Sequence, residues 1–322
     1  MTIEVVTTDV AIKPEDFNPD TRNISNSEVT TYLACKRQYD FTFIENLAPK
    51  ETAVPLDRGT VGHAAFERYI LARLNGSNHE DSYKHGLTVF MDAVKLNPDR
   101  IALYMENQKI WERYMQVHQG WPEFELLGTE DRVDLQLTDS LRIAIRYDLK
   151  VRERTTGKVL IGDWKFTFDF WRDSDHYLNG QMPKYIAVLR LNNFQCDGGF
   201  VEQVRTRPLG PDKARDHRNL WRRNFYYPSA KKLKAMMNQH VATSMEIEKH
   251  RALDPEYRIE VASQPVLNKY GACKYCAFAT LCNSMNEGVR DLQVEMRTSF
   301  TQNTYGYNEG QSIPGQSNES VD

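Results

Sequence analysis

Asp163 and Lys165 stand two residues apart in Val159-Leu160-Ile161-Gly162-Asp163-Trp164-Lys165-Phe166, an aliphatic and β-branched run of the kind found in a buried strand. Side chains alternate along a strand, so the carboxylate and the ammonium point to one side. Burying both is costly unless they pair or hold a metal. The two are therefore either a structural ion pair or part of an active site. A second carboxylate favours the active site. Asp148 lies in Ile145-Arg146-Tyr147-Asp148-Leu149, and a hairpin closing around Thr155 to Lys158 is expected to bring it opposite Asp163. Two acids and a lysine suffice for phosphodiester cleavage: the carboxylates hold Mg²⁺ or Mn²⁺, and the lysine orients water or steadies developing charge. Asp131 and Asp134 compete with Asp148 for this role from a strand further away.

A second set of residues carries metal chemistry of another kind. Cys273-x2-Cys276-x5-Cys282 places three thiols in one short segment, a spacing that holds zinc or an iron–sulfur cluster. The open fourth position falls to Cys35, far away near the N-terminus. Cys196, in Phe194-Gln195-Cys196-Asp197-Gly198, reads as an ordinary core or surface thiol. Five cysteines so placed do not make a secreted disulfide scaffold.

The elements that must position these groups divide the chain. Residues 1–24 lack apolar periodicity and are expected to form a flexible arm. Ser27 is a candidate N-cap, with Glu28 in the first turn and Tyr32, Cys35, Tyr39 and Phe43 at helical spacing. A clear helix follows Asp57-Arg58-Gly59-Thr60-Val61-Gly62-His63. Another helical stretch runs from Ser82 to Gln119, interrupted near Asn97-Pro98. From Glu123 the period becomes that of strands. Phe124–Leu137, Leu141–Val151 and the Asp163 run are expected to form an antiparallel meander. Tyr177–Leu191 reads as a helix, Phe194–Val204 as a strand and Ser229–His250 as a long helix. Residues 25–297 are expected to form one domain, and residues 298–322, rich in Gln, Asn, Ser and Gly, a disordered tail.

A net charge of −3 excludes a protein that is basic throughout, so nucleic-acid binding requires a local patch. Residues 205–234 supply one, with ten Lys or Arg against two Asp and with Trp221, Phe225, Tyr226 and Tyr227 interleaved. Arginines and lysines contact phosphates and aromatics stack on unpaired bases. Arg205, Arg207, Arg218, Arg222, Arg223 and Lys231 are the candidate contacts. No run reaches transmembrane length and Met1–Asp20 has no signal-peptide pattern, so no membrane association and a cytoplasmic location are expected.

Asp148 followed across a hairpin by Asp163-Trp164-Lys165 resembles the motif of the PD-(D/E)XK nuclease superfamily, with Tyr147 where the name has Pro. Gln181-Met182-Pro183-Lys184-Tyr185 resembles the Q-x-x-x-Y motif of its RecB-like branch, the two residues sharing one helix face. Gly59-Thr60-Val61-Gly62-His63 is similar to that branch's G-x-x-x-H. Glu130 is a weaker counterpart of an acid on the preceding strand. A remote cysteine with a C-terminal C-x2-C-x5-C resembles the iron–sulfur members, including the CRISPR-associated exonuclease family and AddB-type nuclease domains.

The resemblance spans residues 25–285. It implies an α/β restriction-endonuclease-like core, a mixed central sheet (antiparallel meander) flanked by helices. A helical N-terminal half and a cysteine-stapled C-terminal segment would complete it. It further implies a Mg²⁺- or Mn²⁺-dependent exonuclease acting on single-stranded DNA or DNA ends in replication, recombination or repair. His63, Asp148, Asp163 and the Trp164 carbonyl would hold the metal. Lys165 would orient water, and Gln181 and Tyr185 would position metal-bound water or DNA. Cys35, Cys273, Cys276 and Cys282 would hold a 4Fe–4S cluster, with Zn²⁺ the alternative. The chain has no G-x-x-x-x-G-K-[ST] motif, so a helicase, recombinase or integration protein is an expected partner. Two alternatives stay open: a non-catalytic nucleic-acid-binding or recombination accessory protein with a structural metal cluster, and a zinc-stapled RNA nuclease.

Overall fold

The computed structural model describes residues 21–50, 53–178, 180–210, 212–213, 216–263, 273, 276–287, 296 and 299–302. In chain order these form β1 (Arg22–Asn23), α1 (Asn26–Ala34), α2 (Lys36–Tyr39), β2 (Leu47–Pro49), α3 (Val54–Leu74), α4 (His79–Leu96) and α5 (Ile101–His118). Then come β3 (Phe124–Gly128), β4 (Arg132–Thr138), β5 (Leu141–Arg146), β6 (Leu149–Glu153), β7 (Val159–Thr167), α6 (Asp173–Leu178) and α7 (Gln181–Leu191). The chain ends with β8 (Gly198–Arg205), β9 (Trp221–Tyr226), α8 (Ala230–Arg251), α9 (Ala279–Asn286) and β10 (Phe300–Gln302). Residues 1–20 of the expected arm and 298 and 303–322 of the expected tail lie outside the described residues. No helix among the described residues is long and apolar enough to cross a membrane.

Two compact units emerge. The first takes its described residues from 52–138 and 144–239 and is built on a five-stranded sheet in the order β3-β6-β7-β8-β9. β3 pairs antiparallel with β6 and β6 with β7, β7 runs parallel to β8, and β9 returns antiparallel. The antiparallel meander is therefore β3-β6-β7, and β4 and β5 are an excursion between its first two strands. Both strands expected from sequence upstream of β7 are each divided in two. The first breaks at Thr129–Asp131, where Glu130 takes a left-handed φ of 52°, and the second at Tyr147–Asp148.

Parallel neighbours need a crossover, and α6 and α7 supply it between β7 and β8. Tyr177–Leu191 is thus two helices, and the following strand starts at Gly198 instead of Phe194. α3 packs on the sheet through aromatic residues: the Phe66 ring stacks on Trp164 at 4.3 Å, among fully buried Tyr69, Trp111, Tyr114 and Trp121. Deleting one such ring costs about 3–5 kcal/mol. At the close approach of α3 to β7, a Cβ on Gly62 would fall 2.1 Å from the Phe166 ring. A side chain has no room there.

The second unit takes its described residues from 19–51, 139–143 and 240–322. Ser25, not Ser27, caps α1: its Oγ accepts from the Glu28 N–H at 3.1 Å. Ser25-Asn26-Ser27-Glu28 has the S-x-x-E spacing of a capping box, which selects the first serine. Arg22 bonds Glu28 and Glu248, and Ile24 is fully buried, so residues 21–24 of the expected arm are built into this unit. Phe300 likewise packs with Phe41 and Phe278, and β10 pairs antiparallel with β2 where a tail was expected.

Candidate active site

The β6–β7 register pairs Leu149 with Gly162, which sets Asp148, one residue earlier, level with Asp163. Asp148 is buried and accepts from the Trp164 backbone N–H at 2.7 Å and lies 3.1 Å from His63 Nδ1 of α3. The Thr129 hydroxyl donates to the Asp148 carbonyl at 2.7 Å and so ties the β3–β4 turn to the same point. That turn delivers Glu130. Ligand atoms of His63, Glu130 and Asp148 all lie within 4.8 Å of one another. Asp163 is held differently. Its oxygens lie 2.8–2.9 Å from Lys165 Nζ, and one accepts from Gln181 Nε2 at 3.1 Å. Gln181 also donates to the Tyr185 hydroxyl at 3.1 Å, as their shared helix face requires.

The electrostatics describe an anion-rich pocket. Burial, then the charges of Asp148 and Glu67, push Glu130 up to about 8. Burial lifts Asp163 to about 6 against the pull of Lys165. Burial would also raise Asp148, but His63, Lys165 and the Trp164 N–H outweigh it and hold it below the usual carboxylate range. Burial opposes charge on His63 and Lys165, yet the carboxylates prevail, raising His63 to about 8 and Lys165 above its ordinary value. Acids that resist ionising together suit a divalent cation. The donor set, one imidazole and carboxylate oxygens, fits Mg²⁺ or Mn²⁺.

The structure brings together His63, Asp148, Asp163, Lys165, Gln181 and Tyr185. Trp164 meets Asp148 through its amide. The competing acids are engaged elsewhere: Asp131 accepts from the Tyr147 hydroxyl at 2.6 Å and Asp134 pairs with Arg132 at 2.9 Å. Glu130, only weakly marked in the sequence, joins His63 and Asp148. Glu67, four residues after His63 on one helix face, is a further acid whose charge bears on Glu130, and its spacing from His63 is the signal in the sequence that marks it.

The family model of the PD-(D/E)XK nuclease superfamily matches residues 23–283. The chain belongs to that superfamily. Its restriction-endonuclease-like α/β fold is the mixed sheet and flanking helices described above. A solved structure described as the crystal structure of SSO0001 is similar at 16% identity, covering 80% of this chain and 96% of that one with a TM-score of 0.30. No curated protein matches.

In this PD-(D/E)XK chain the second unit brings Cys35, Cys273, Cys276 and Cys282 to one cavity of about 120 Å³, with Arg37, Phe41 and Phe278 also in its wall. Among the described residues no three of these sulfurs fall within 4.8 Å of one another. Tetrahedral zinc, at a Zn–S distance of about 2.3 Å, needs sulfurs about 3.8 Å apart. Burial, with the charges of the three other cysteines behind it, raises the Cys276 thiol above its ordinary value. Cys196 is buried and its Sγ contacts the Gly198 carbonyl at 3.4 Å.

The candidate DNA contacts of this nuclease differ in what they touch. Arg223 is an internal cation, bonded to Glu202 and to Glu123 at 2.9 Å. Arg205, Arg207 and Arg222 gather on the loop after β7: Arg205 and Arg222 lie over Phe170 at 4.0 and 4.9 Å, and Arg207 over exposed Phe168 at 5.6 Å. Arg205 and Arg207 also reach Asp169 at 3.5 and 3.0 Å. Arg218 pairs with Asp216 on the surface and Lys231 is exposed on α8. Trp221 is buried in the core, so the aromatics beside these arginines are Phe168 and Phe170.

Proposed function

We propose that this PD-(D/E)XK nuclease is a Mg²⁺- or Mn²⁺-dependent deoxyribonuclease, an exonuclease acting on single-stranded DNA or DNA ends in replication, recombination or repair. The observation that carries the reading is the meeting of His63, Glu130 and Asp148 within 4.8 Å, beside the Asp163–Lys165 pair. These three side chains would hold the metal, with Asp163 facing it from β7. When bound there, a divalent ion would supply charge neutralisation at the scissile phosphate and a more acidic water. Lys165, kept protonated by Asp163, donates to that water and to the phosphate oxygens as charge develops. Gln181 fixes Asp163 and Tyr185 in mutual orientation. Exposed Phe168, with Phe170 and three arginines, suits stacked bases and their phosphates, which favours single strands over duplex.

We further propose that Cys35, Cys273, Cys276 and Cys282 hold a 4Fe–4S cluster. The meeting of all four cysteines on one cavity supports a shared metal–thiolate centre, with Zn²⁺ the alternative. The cluster would staple α2 to the C-terminal segment. A cytoplasmic location and a helicase or recombinase partner fit a nuclease with no unwinding motif of its own.

End-labelled single- and double-stranded DNA with Mg²⁺ or Mn²⁺ tests the activity directly. Lys165→Ala is expected to lose cleavage by at least about 100-fold while retaining DNA binding. Undiminished cleavage would defeat the assignment. Glu130→Gln is expected to weaken Mn²⁺ binding about 10–100-fold, measured by electron paramagnetic resonance of free Mn²⁺.

A further inference from the structure

Arg37 is a buried cation that no carboxylate pairs among the described residues. It is 3% exposed on α2. Its guanidinium donates to Asn286 Oδ1 at 2.8 Å, to the Ile259 carbonyl at 3.1 Å and to Cys282 Sγ at 3.8 Å. Its Nε has no hydrogen-bond partner, and among the described residues no acid pairs with it. Half-buried Arg22 and buried Arg258 of the same unit are compensated, Arg22 by Glu28 and Glu248 and Arg258 by Asp40 and Glu45. A guanidinium keeps its charge in protein interiors, and burying one without a counter-charge is strongly unfavourable. Arg37 lines the cavity that the four cysteines share, so its charge faces whatever centre they hold.

Neutral thiols do not supply a counter-charge. Four thiolates around an iron–sulfur core leave a net negative centre. We infer that Arg37 is the counter-ion and N–H···S donor of an anionic metal–thiolate centre at Cys35, Cys273, Cys276 and Cys282, and that it sets the centre's reduction potential. The inference rests on the iron–sulfur reading of these cysteines. The Gln38 backbone N–H, 3.5 Å from Cys35 Sγ, is a second and neutral donor. Reduction adds negative charge, so a fixed cation at the sulfur favours the reduced form and raises the potential.

The test begins with iron and sulfide content of anaerobically purified full-length protein, followed by spectroelectrochemical titration of the parent, Arg37→Met and Arg37→Lys. Arg37→Met is expected to disfavour reduction at least tenfold, about 59 mV for one electron, with Arg37→Lys retaining most of the parent potential. Cleavage chemistry is not the readout. A parent protein without iron and sulfide overturns the iron–sulfur reading, and this inference with it. A loaded Arg37→Met protein with an unchanged or raised potential overturns the inference alone. Where Arg37→Met fails to retain iron, retention by Arg37→Lys supports the need for charge. Loss in both overturns it in favour of a purely steric role.

Discussion

Under the proposed reading, a proton and a metal ion would compete for one imidazole at His63. Burial would lower its pKa, but Asp148 and Asp163 raise it to about 8. Coordination requires the neutral ring, so binding at pH 7 must expel that proton, and affinity should climb with pH until it levels off above about 8. Glu130, also raised to about 8, must give up its proton as well, so calorimetric Mn²⁺ titrations in two buffers of different ionisation heat should show release of about two protons at pH 7, falling to about one in His63→Gln. Unchanged release in His63→Gln would remove His63 from the ligand set. Without metal the sign reverses. The raised pKa stabilises the fold fully below about pH 6.5, and that contribution is lost as pH rises through about 8. Asp148, Asp163 and Lys165 were legible because strand alternation and hairpin register are short-range rules. Glu130 was poorly legible because a left-handed turn, invisible in side-chain pattern, aims it at His63.

At the scale of elements, the approach of α3 to β7 decides whether His63 reaches Asp148. Two glycines of α3 make opposite predictions. A Cβ on Gly62 meets the Phe166 ring, itself packed 6.2 Å from Phe66 and 5.9 Å from His63. Gly62→Ala should cost about 1–3 kcal/mol by overpacking and weaken Mn²⁺ binding as the helix shifts. A Cβ on Gly59 meets nothing within 4 Å, so Gly59→Ala should be neutral or stabilise by up to about 1 kcal/mol. Thermal denaturation of the two variants checks the pair, and equal melting temperatures would contradict the steric account. Element types were largely legible from period. Strand order was not, because β4 and β5 have strand period yet leave the sheet. The parallel β7–β8 pairing depends on a crossover that local pattern cannot register.

At the scale of the whole chain, every residue of the acidic site lies between Cys35 and Cys273 in sequence, so a metal centre joining those cysteines closes a loop around all of them. Loop closure acts on the unfolded ensemble. By the entropy of cross-linking, a loop of this order is worth roughly 5 kcal/mol, largely independent of contacts in the folded state. Iron removal should therefore lower thermal stability steeply while leaving the acidic site's own chemistry in place. Expected results are a lower melting temperature for the iron-free protein or for Cys282→Ser, with Mn²⁺ affinity retained well below that temperature. Cys196→Ser, outside the cavity, should melt within about 1 kcal/mol of the parent. Differential scanning calorimetry read against Mn²⁺ titration separates the two effects. Iron-free protein that melts with the parent would show that the cysteines do not act as a staple. Loss of Mn²⁺ affinity in still-folded protein would show that the centre shapes the acidic site directly. The first outcome would remove the entropic role and the second would replace it with a structural one, so the measurement distinguishes where in the folding equilibrium the centre acts.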